Sequence, residues 1–380
     1  MKILNVNTCL DTRVGGGMAE RTFQMSRFLS LGGIETIVLA IDNGFDKSLI
    51  EELRPAELVV FPEISRRFYI PRISWSVIKS LVNGVDVIHL MGHWTLLNAA
   101  VYLAARSVGK PYAVCPAGAL PIFGRSQILK RLYNIVIGNS IIKNASAWIA
   151  VTSNESFDYA SYGINVSDVT IIPNGIDDKN YPIIDIQSSR HVLNLPEAPF
   201  ILFMGRLNLI KGPDLLLNAF VLAGKHISNY HLVFAGSDEG MRSELLSFAK
   251  EAGVQDRVHF IGFVDGLNKL ITYQLASLLV VPSRQEAMSI VALEAAACGT
   301  PVMLTDQCGF SQVRNVDSRL EVPATVSGLT SGLLQVLKDS EHLPELGARL
   351  KEYVLQHYTW SSVVSEYLNL YKKILATYKK

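Results

Sequence analysis

Short, nearly continuous apolar runs rich in β-branched residues alternate with stretches of helical spacing along almost the whole chain, and the pattern runs twice. Such runs belong to parallel strands covered on both faces, so the chain is confined to α/β architecture with crossover helices. In the first half the predicted strands are Lys2–Thr8, Glu35–Ile41, Val85–Leu90, Tyr112–Cys115, Ala147–Thr152 and Val169–Ile172. Helices are expected over Met18–Leu31, Leu96–Val108 and from Glu155 to the stop at Gly163. After a stretch of mixed polarity with three prolines, Ile176 to Pro199, the alternation restarts. Strands are then expected at Phe200–Met204, His231–Ala235, Val258–Ile261, Leu278–Val281 and Val302–Thr305. Helices fall at Asp214–Leu222, Arg242–Ala252, Asn268–Leu275 and Ile290–Cys298. Two doubly wound, Rossmann-like domains facing a cleft follow, over 1–178 and 179–357, with an amphipathic helix over 358–380 crossing back to the first domain.

Composition narrows the function classes. Lys+Arg 35 against Asp+Glu 34 leaves a net charge of +1, so no bulk field draws the chain to nucleic acid. No apolar run has the ~20 residues a membrane span needs, and Asp11 arrives before a signal-peptide core could form. Cys9, Cys115, Cys298 and Cys308 form no CxxC pair, which fits a reducing, cytoplasmic setting without a metal.

Four loops carry chemistry-bearing residues. Gly205-Arg206-Leu207-Asn208-Leu209-Ile210-Lys211-Gly212-Pro213-Asp214 joins a strand to a helix with proline at its first position. Arg206 and Lys211 beside that helix N-terminus make an anion site suited to a diphosphate. In Pro282–Ala295, Glu286 precedes a helix and Glu294 lies within an otherwise apolar one. Glu294 needs hydrogen-bond donors there, either ligand hydroxyls or a cation on another helix. Glu286 also fits a capping box with Ser283. Gly15-Gly16-Gly17 sits between the first strand and helix, and with Asp42 it keeps a nicotinamide-dependent oxidoreductase in view. His89 and His93 close the strand at Val85–Leu90, where an imidazole could contact a sugar or serve as a base.

The joint pattern Gly-Arg-Leu-x-x-x-Lys-Gly, Glu286 and Glu294 eight residues apart, Ala297-Cys298-Gly299-Thr300-Pro301-Val302 and Pro173-Asn174-Gly175-Ile176-Asp177 resembles the group 1 (GT4) retaining glycosyltransferases of GT-B fold. The resemblance covers nearly the whole chain. It implies a sugar transferred from a nucleoside diphosphate sugar, a UDP- or GDP-sugar, to a glycan or lipid-linked acceptor, without a divalent metal or other cofactor. It further implies that Arg206 and Lys211 hold the diphosphate, Glu294 the ribose and Glu286 the donor sugar. Main chain at Val264, Met288, Ser289 and Ile290 would complete the donor site, with Gly16 and Gly17 closing from the first domain.

Two departures stand out. A Pro-His-Gly segment common in relatives is here Pro116-Ala117-Gly118, which leaves His93 as the substitute imidazole and a non-catalytic nucleotide-sugar-binding protein as an alternative. The usual Glu-Gly-Phe-Gly is Glu286-Ala287-Met288-Ser289. Finally, Arg125, Lys130 and Arg131 interleave with Ile128, Leu129, Leu132, Tyr133 and Ile135. That segment reads either as a peripheral contact with anionic lipid at the inner face of a membrane, or as a helix packed on its own domain.

Overall fold

The computed structural model describes residues 1–42, 47–65, 69–122, 126–184 and 193–378. It divides into two compact units, Met1–Gly175 with Trp360–Lys380, and Ile176–Thr359. The predicted Arg125 contribution and the middle of the predicted linker, 185–192, lie outside the described residues.

The first unit is built on an eight-stranded sheet. In chain order its elements are β1 (Lys2–Val6), α1 (Thr12–Leu31), β2 (Glu35–Asp42), α2 (Lys47–Leu53), β3 (Glu57–Ser65), β4 (Ile70–Pro71), α3 (Trp75–Asn83), β5 (Val87–Met91), α4 (Leu96–Val108) and β6 (Tyr112–Cys115). Then come α5 (Gln127–Tyr133), a π-helical turn Asn134–Gly138, α6 (Asn139–Lys143), β7 (Ala147–Ala150), α7 (Ser153–Ser156) and β8 (Val169–Ile171). The strand order is β4-β3-β2-β1-β5-β6-β7-β8, parallel except for the β3–β4 edge. Ile3 to Val6 of β1 and every residue of β5 and β6 are buried, so the period-2 pattern of a one-faced sheet is absent from these strands.

The second unit holds β9 (Phe200–Met204), α8 (Pro213–Ala223), β10 (His231–Ala235), α9 (Arg242–Glu251), β11 (Val258–Gly262), α10 (Gly266–Leu275), β12 (Leu278–Val281), α11 (Ile290–Ala297), β13 (Val302–Thr305), β14 (Glu321–Val322), α12 (Val326–Lys338) and α13 (Leu343–His357). Its all-parallel order is β11-β10-β9-β12-β13-β14. In each sheet the winding reverses beside the first strand, between β1 and β5 and between β9 and β12. Ligands of doubly wound sheets bind at the carboxyl ends of the strands flanking such a reversal.

The last helix, α14 (Trp360–Tyr378), packs against α1 in the first unit. Trp360, Val363, Tyr367, Tyr371 and Ile374 are buried, each contributing ~1.5–3 kcal/mol of apolar burial. A buried guanidinium ties it down further. Arg21 donates to Asn174 Oδ1 (2.6 Å), Ile172 O (2.7 Å) and the Tyr367 hydroxyl (2.5 Å). His89 Nδ1 lies 2.7 Å from the Tyr371 hydroxyl, so this histidine is a core residue facing α14.

Candidate active site

In the second unit four loops meet at the carboxyl edge of the sheet, and close backbone approach holds them together. Leu207 N–H donates to Ser237 O (2.8 Å), Arg284 N–H to Ile210 O (2.8 Å) and Glu286 N–H to Gln307 O (2.9 Å). Gly212 caps α8 at φ +70°, and a side chain there would run into the Pro282 carbonyl. Glycine is therefore required between Lys211 and Pro213 on steric grounds alone.

These loops gather the cations and carboxylates into pairs. Lys211 Nζ lies 2.8 Å from Glu286 Oε1, and the Ser283 hydroxyl donates to Glu286 Oε2 (3.0 Å). Arg206 donates to Glu239 Oε1 (2.8 Å), while Asn208 Nδ2 holds Glu239 Oε2 (2.6 Å). Arg284 grips Asp214 with two bonds, of 2.8 and 2.5 Å. The Arg206 side chain is 53% exposed and that of Lys211 25%, so both ammonium and guanidinium reach water from a fixed base. Each cation is held by a carboxylate and still reachable from solvent, so an incoming polyanion can meet it.

Glu294 is buried within α11, and both its oxygens are satisfied from α10. Lys269 Nζ lies 2.7 Å from Oε1 and the Tyr273 hydroxyl 2.8 Å from Oε2. Burial, and then the Glu294 charge, push the Tyr273 hydroxyl well above its ordinary value, so it stays a donor to the carboxylate. The cation on another helix expected for Glu294 is thus present as Lys269, and each carboxylate oxygen keeps a further lone pair for a ligand hydroxyl. The capping-box reading of Glu286 is not: α11 starts later, and its cap is Ser289, whose Oγ accepts from Ala292 N–H (3.3 Å). The Ser289 amide donates to Cys308 O (3.1 Å), which corrects the expectation that it is open to a ligand. Met288 and Val264 are buried beside these loops, and Ile290 opens α11.

In the first unit, Gly16 and Gly17 are not in a loop ahead of the helix, as expected. The chain already turns helically from Thr12, and Gly16 breaks the run at φ 56°, ψ −144°. That conformation is open to glycine and leaves the exposed backbone of Gly16 and Gly17 at a kink inside α1. His93 is buried within an aromatic cage of Trp94, Tyr133 and Tyr162. Its Nε2 lies 2.9 Å from Asn134 Oδ1. Burial lowers its pKa to about 4, so it is a neutral imidazole at physiological pH. Ala117 stands at φ 51°, a left-handed position for a non-glycine residue. The next amide, Gly118 N–H, donates to buried Glu155 Oε1 (2.5 Å). Among the described residues no group of three His, Cys, Asp or Glu is placed to hold a metal ion, and no helix is long and apolar enough to cross a membrane.

Sequence reasoning missed Glu239, Arg284, Lys269 and Tyr273, and it paired Ser283 with Glu286 only as a helix cap. The first had a signal, since Gly236-Ser237-Asp238-Glu239-Gly240 follows β10 at the same sheet edge. Lys269 and Tyr273 had none, because their partner sits two elements away in the chain.

Residues 185–356 match the family profile of glycosyl transferases group 1, and residues 15–180 match that of glycosyltransferase family 4. The chain belongs to the group 1 glycosyltransferases. An uncharacterized glycosyltransferase of Methanocaldococcus jannaschii is 32% identical over 212 residues, 54% of this chain and 54% of that one. A D-inositol 3-phosphate glycosyltransferase of Jonesia denitrificans is 30% identical over 253 residues, 63% of this chain and 59% of the relative. The matches thus span little more than half the length of these curated relatives. Anabaena HepE, solved in complex with UDP and glucose, superposes with a TM-score of 0.80 at 17% identity, over 98% of this chain and 100% of HepE. That likeness establishes the GT-B fold. Membership in this family leaves the oxidoreductase reading of Gly15–Gly17 and Asp42 without support.

Proposed function

We propose that this glycosyltransferase moves a sugar from a nucleoside diphosphate sugar, a UDP- or GDP-sugar, to an acceptor hydroxyl, with retention and without a divalent metal. The observation that carries the reading is the Lys211–Glu286 contact of 2.8 Å at the winding reversal of the second sheet, flanked by Arg206. The binding of UDP and UDP-glucose in structures of the same fold supports it.

In this reading Arg206 and Lys211 exchange carboxylate partners for the donor's diphosphate oxygens. They then neutralise the charge that develops as the sugar–phosphate bond breaks. The α8 N-terminus at Pro213 adds its dipole on the same side. Glu286, released from Lys211, accepts hydroxyls of the donor sugar, and Ser283 fixes its second oxygen. Glu294 accepts from the ribose, with Lys269 and Tyr273 fixing the carboxylate in α11. No side chain is assigned as a covalent nucleophile. Positioning and charge neutralisation do the chemistry, and the leaving diphosphate takes the acceptor proton. Neutral, buried His93 acts only through the loop that carries it.

Transfer assays of Lys211→Ala and Glu294→Ala against a panel of UDP- and GDP-sugars test the assignment. Both variants are expected to lose most of the transfer rate. Full rates in both would place the donor elsewhere.

A further inference from the structure

The segment Gln127–Lys143 is a continuous helical run through α5, the π turn and α6, and its two faces differ in what they meet. Tyr133 and Ile137 pack on the core of the first unit, and Ile141 and Ile142 are buried in it. The opposite face carries Ile128, Leu129, Leu132, Ile135 and Val136, and these side chains are 55–78% exposed. Their spacing of three and four residues makes one apolar stripe. Within α5 only Tyr133 packs on the core and no side chain is fully buried, so packing on its own domain accounts for the Tyr133 side and leaves this stripe uncovered.

Charge selects among occupants. Between Asp86 and Glu155 the sequence contains no acidic residue, while it contains Arg106, Lys110, Arg125, Lys130, Arg131 and Lys143. The whole chain is nearly neutral at +1, whereas Lys130 and Arg131 lie within the turns that carry the stripe and Lys143 follows on the same helical run, with no carboxylate among them. A protein partner would be satisfied by the apolar side chains alone. An apolar stripe flanked by Lys130, Arg131 and Lys143 matches an interface with acyl chains below and anionic headgroups above.

We infer that the 128–136 face of the first unit docks in the plane of an anionic lipid bilayer. The helix is bolted to the loop at the carboxyl end of β5. The Tyr133 hydroxyl donates to Thr95 O (2.9 Å), Asn134 Oδ1 meets His93, and the Lys130 ammonium sits 5.7 Å from the Trp94 ring centre. The π turn, which inserts an extra residue per turn, sets Asn134 toward His93 while Ile135 and Val136 remain outside. Docking therefore brings the acceptor-side edge of this sheet to the headgroup layer. In the part that rests on the proposed function, this makes the acceptor a membrane-borne glycan or lipid.

Vesicle flotation of the full chain tests the inference. The probes are phosphatidylcholine vesicles and phosphatidylglycerol-containing vesicles, and the variants are Ile128→Asp/Ile135→Asp and Arg131→Ala. The wild type is expected to float with the anionic vesicles and to remain behind with the zwitterionic ones. The double aspartate variant should lose at least about tenfold in partitioning, and Arg131→Ala about fivefold. All three substitutions fall on exposed positions, so circular dichroism melting and UDP-sugar binding should match the wild type. The inference is overturned if the wild type fails to float, if the aspartate variant floats equally well, or if sedimentation shows that the stripe closes a dimer instead. Loss of nucleotide-sugar binding by the wild type would sink the proposed function while leaving the flotation result standing.

Discussion

The two sheets share a winding pattern, but the units carry their polar groups in opposite ways. In the second unit the loops after β9 and β12 carry cations and carboxylates in pairs that reach water, Lys211 with Glu286 and Arg206 with Glu239. In the first unit the comparable residues are buried and their charge is either suppressed or locked. His93 sits in an aromatic cage, His89 is bonded to Tyr371, and Arg21 is enclosed by Asn174, Ile172 and Tyr367. Exchangeable ion pairs at a solvent-facing edge can be handed to a ligand at small net cost, because one set of charge-assisted bonds replaces another. A buried guanidinium cannot be released that way, since desolvation must be compensated in place. The pairs of the second unit can thus trade partners, whereas the buried groups of the first unit are fixed in place.

The sharpest break in this comparison is functional. Lys211→Ala should lower transfer kcat/KM by ~10²–10³-fold, about 3–4 kcal/mol of charge stabilisation, in steady-state assays. A loss of that size with an unchanged urea midpoint would confirm that the pair serves exchange rather than stability. Arg21→Met should do the reverse. It strands Asn174 Oδ1, Ile172 O and the Tyr367 hydroxyl, costing about 3 kcal/mol in urea unfolding, while calorimetric donor binding to the second unit persists. Acid sharpens the picture. His89 and His93 have folded pKa values lowered by burial to about 3 and about 4, against 6.5 unfolded, so the unfolded chain binds more protons between those limits. The fold keeps its full stability from their neutral burial above pH 6.5 and loses it as pH falls toward 4 for His93 and toward 3 for His89. Between pH 7 and 5 each should cost about 2 kcal/mol. Urea midpoints at the two values should fall for the wild type, and less for His93→Gln. Smallest is the cap: Ser289→Ala should cost about 1 kcal/mol, seen as a modest drop in melting temperature.

Much of the fold was legible where local and global preferences agree. Phe200–Met204, Leu278–Val281 and Leu96–Val108 are apolar runs or regular helical patterns bounded by glycine or proline, and they form as expected. The helices α12 and α13 were not foreseen. Val326-Ser327-Gly328-Leu329-Thr330-Ser331-Gly332 has little intrinsic helix propensity, and packing against α8 forms that helix anyway. The α1 start was misread because three glycines suggest a loop, whereas only Gly16 leaves the helical region. At the site, the residue types and their strand-end positions were readable. Their partners were not, because Lys211 meets Glu286 and Lys269 meets Glu294 only once the loops are brought together by the sheet.

The proposed donor site stands on Arg206 and Lys211 gripping a diphosphate. Isothermal titration of UDP, GDP and the corresponding nucleosides into the wild type and the Arg206→Ala/Lys211→Ala variant tests it directly. Removing two charge-assisted contacts, together ~3 kcal/mol, should weaken diphosphate binding by about a hundredfold and leave nucleoside binding in place. Undiminished diphosphate affinity in the double variant would contradict the account.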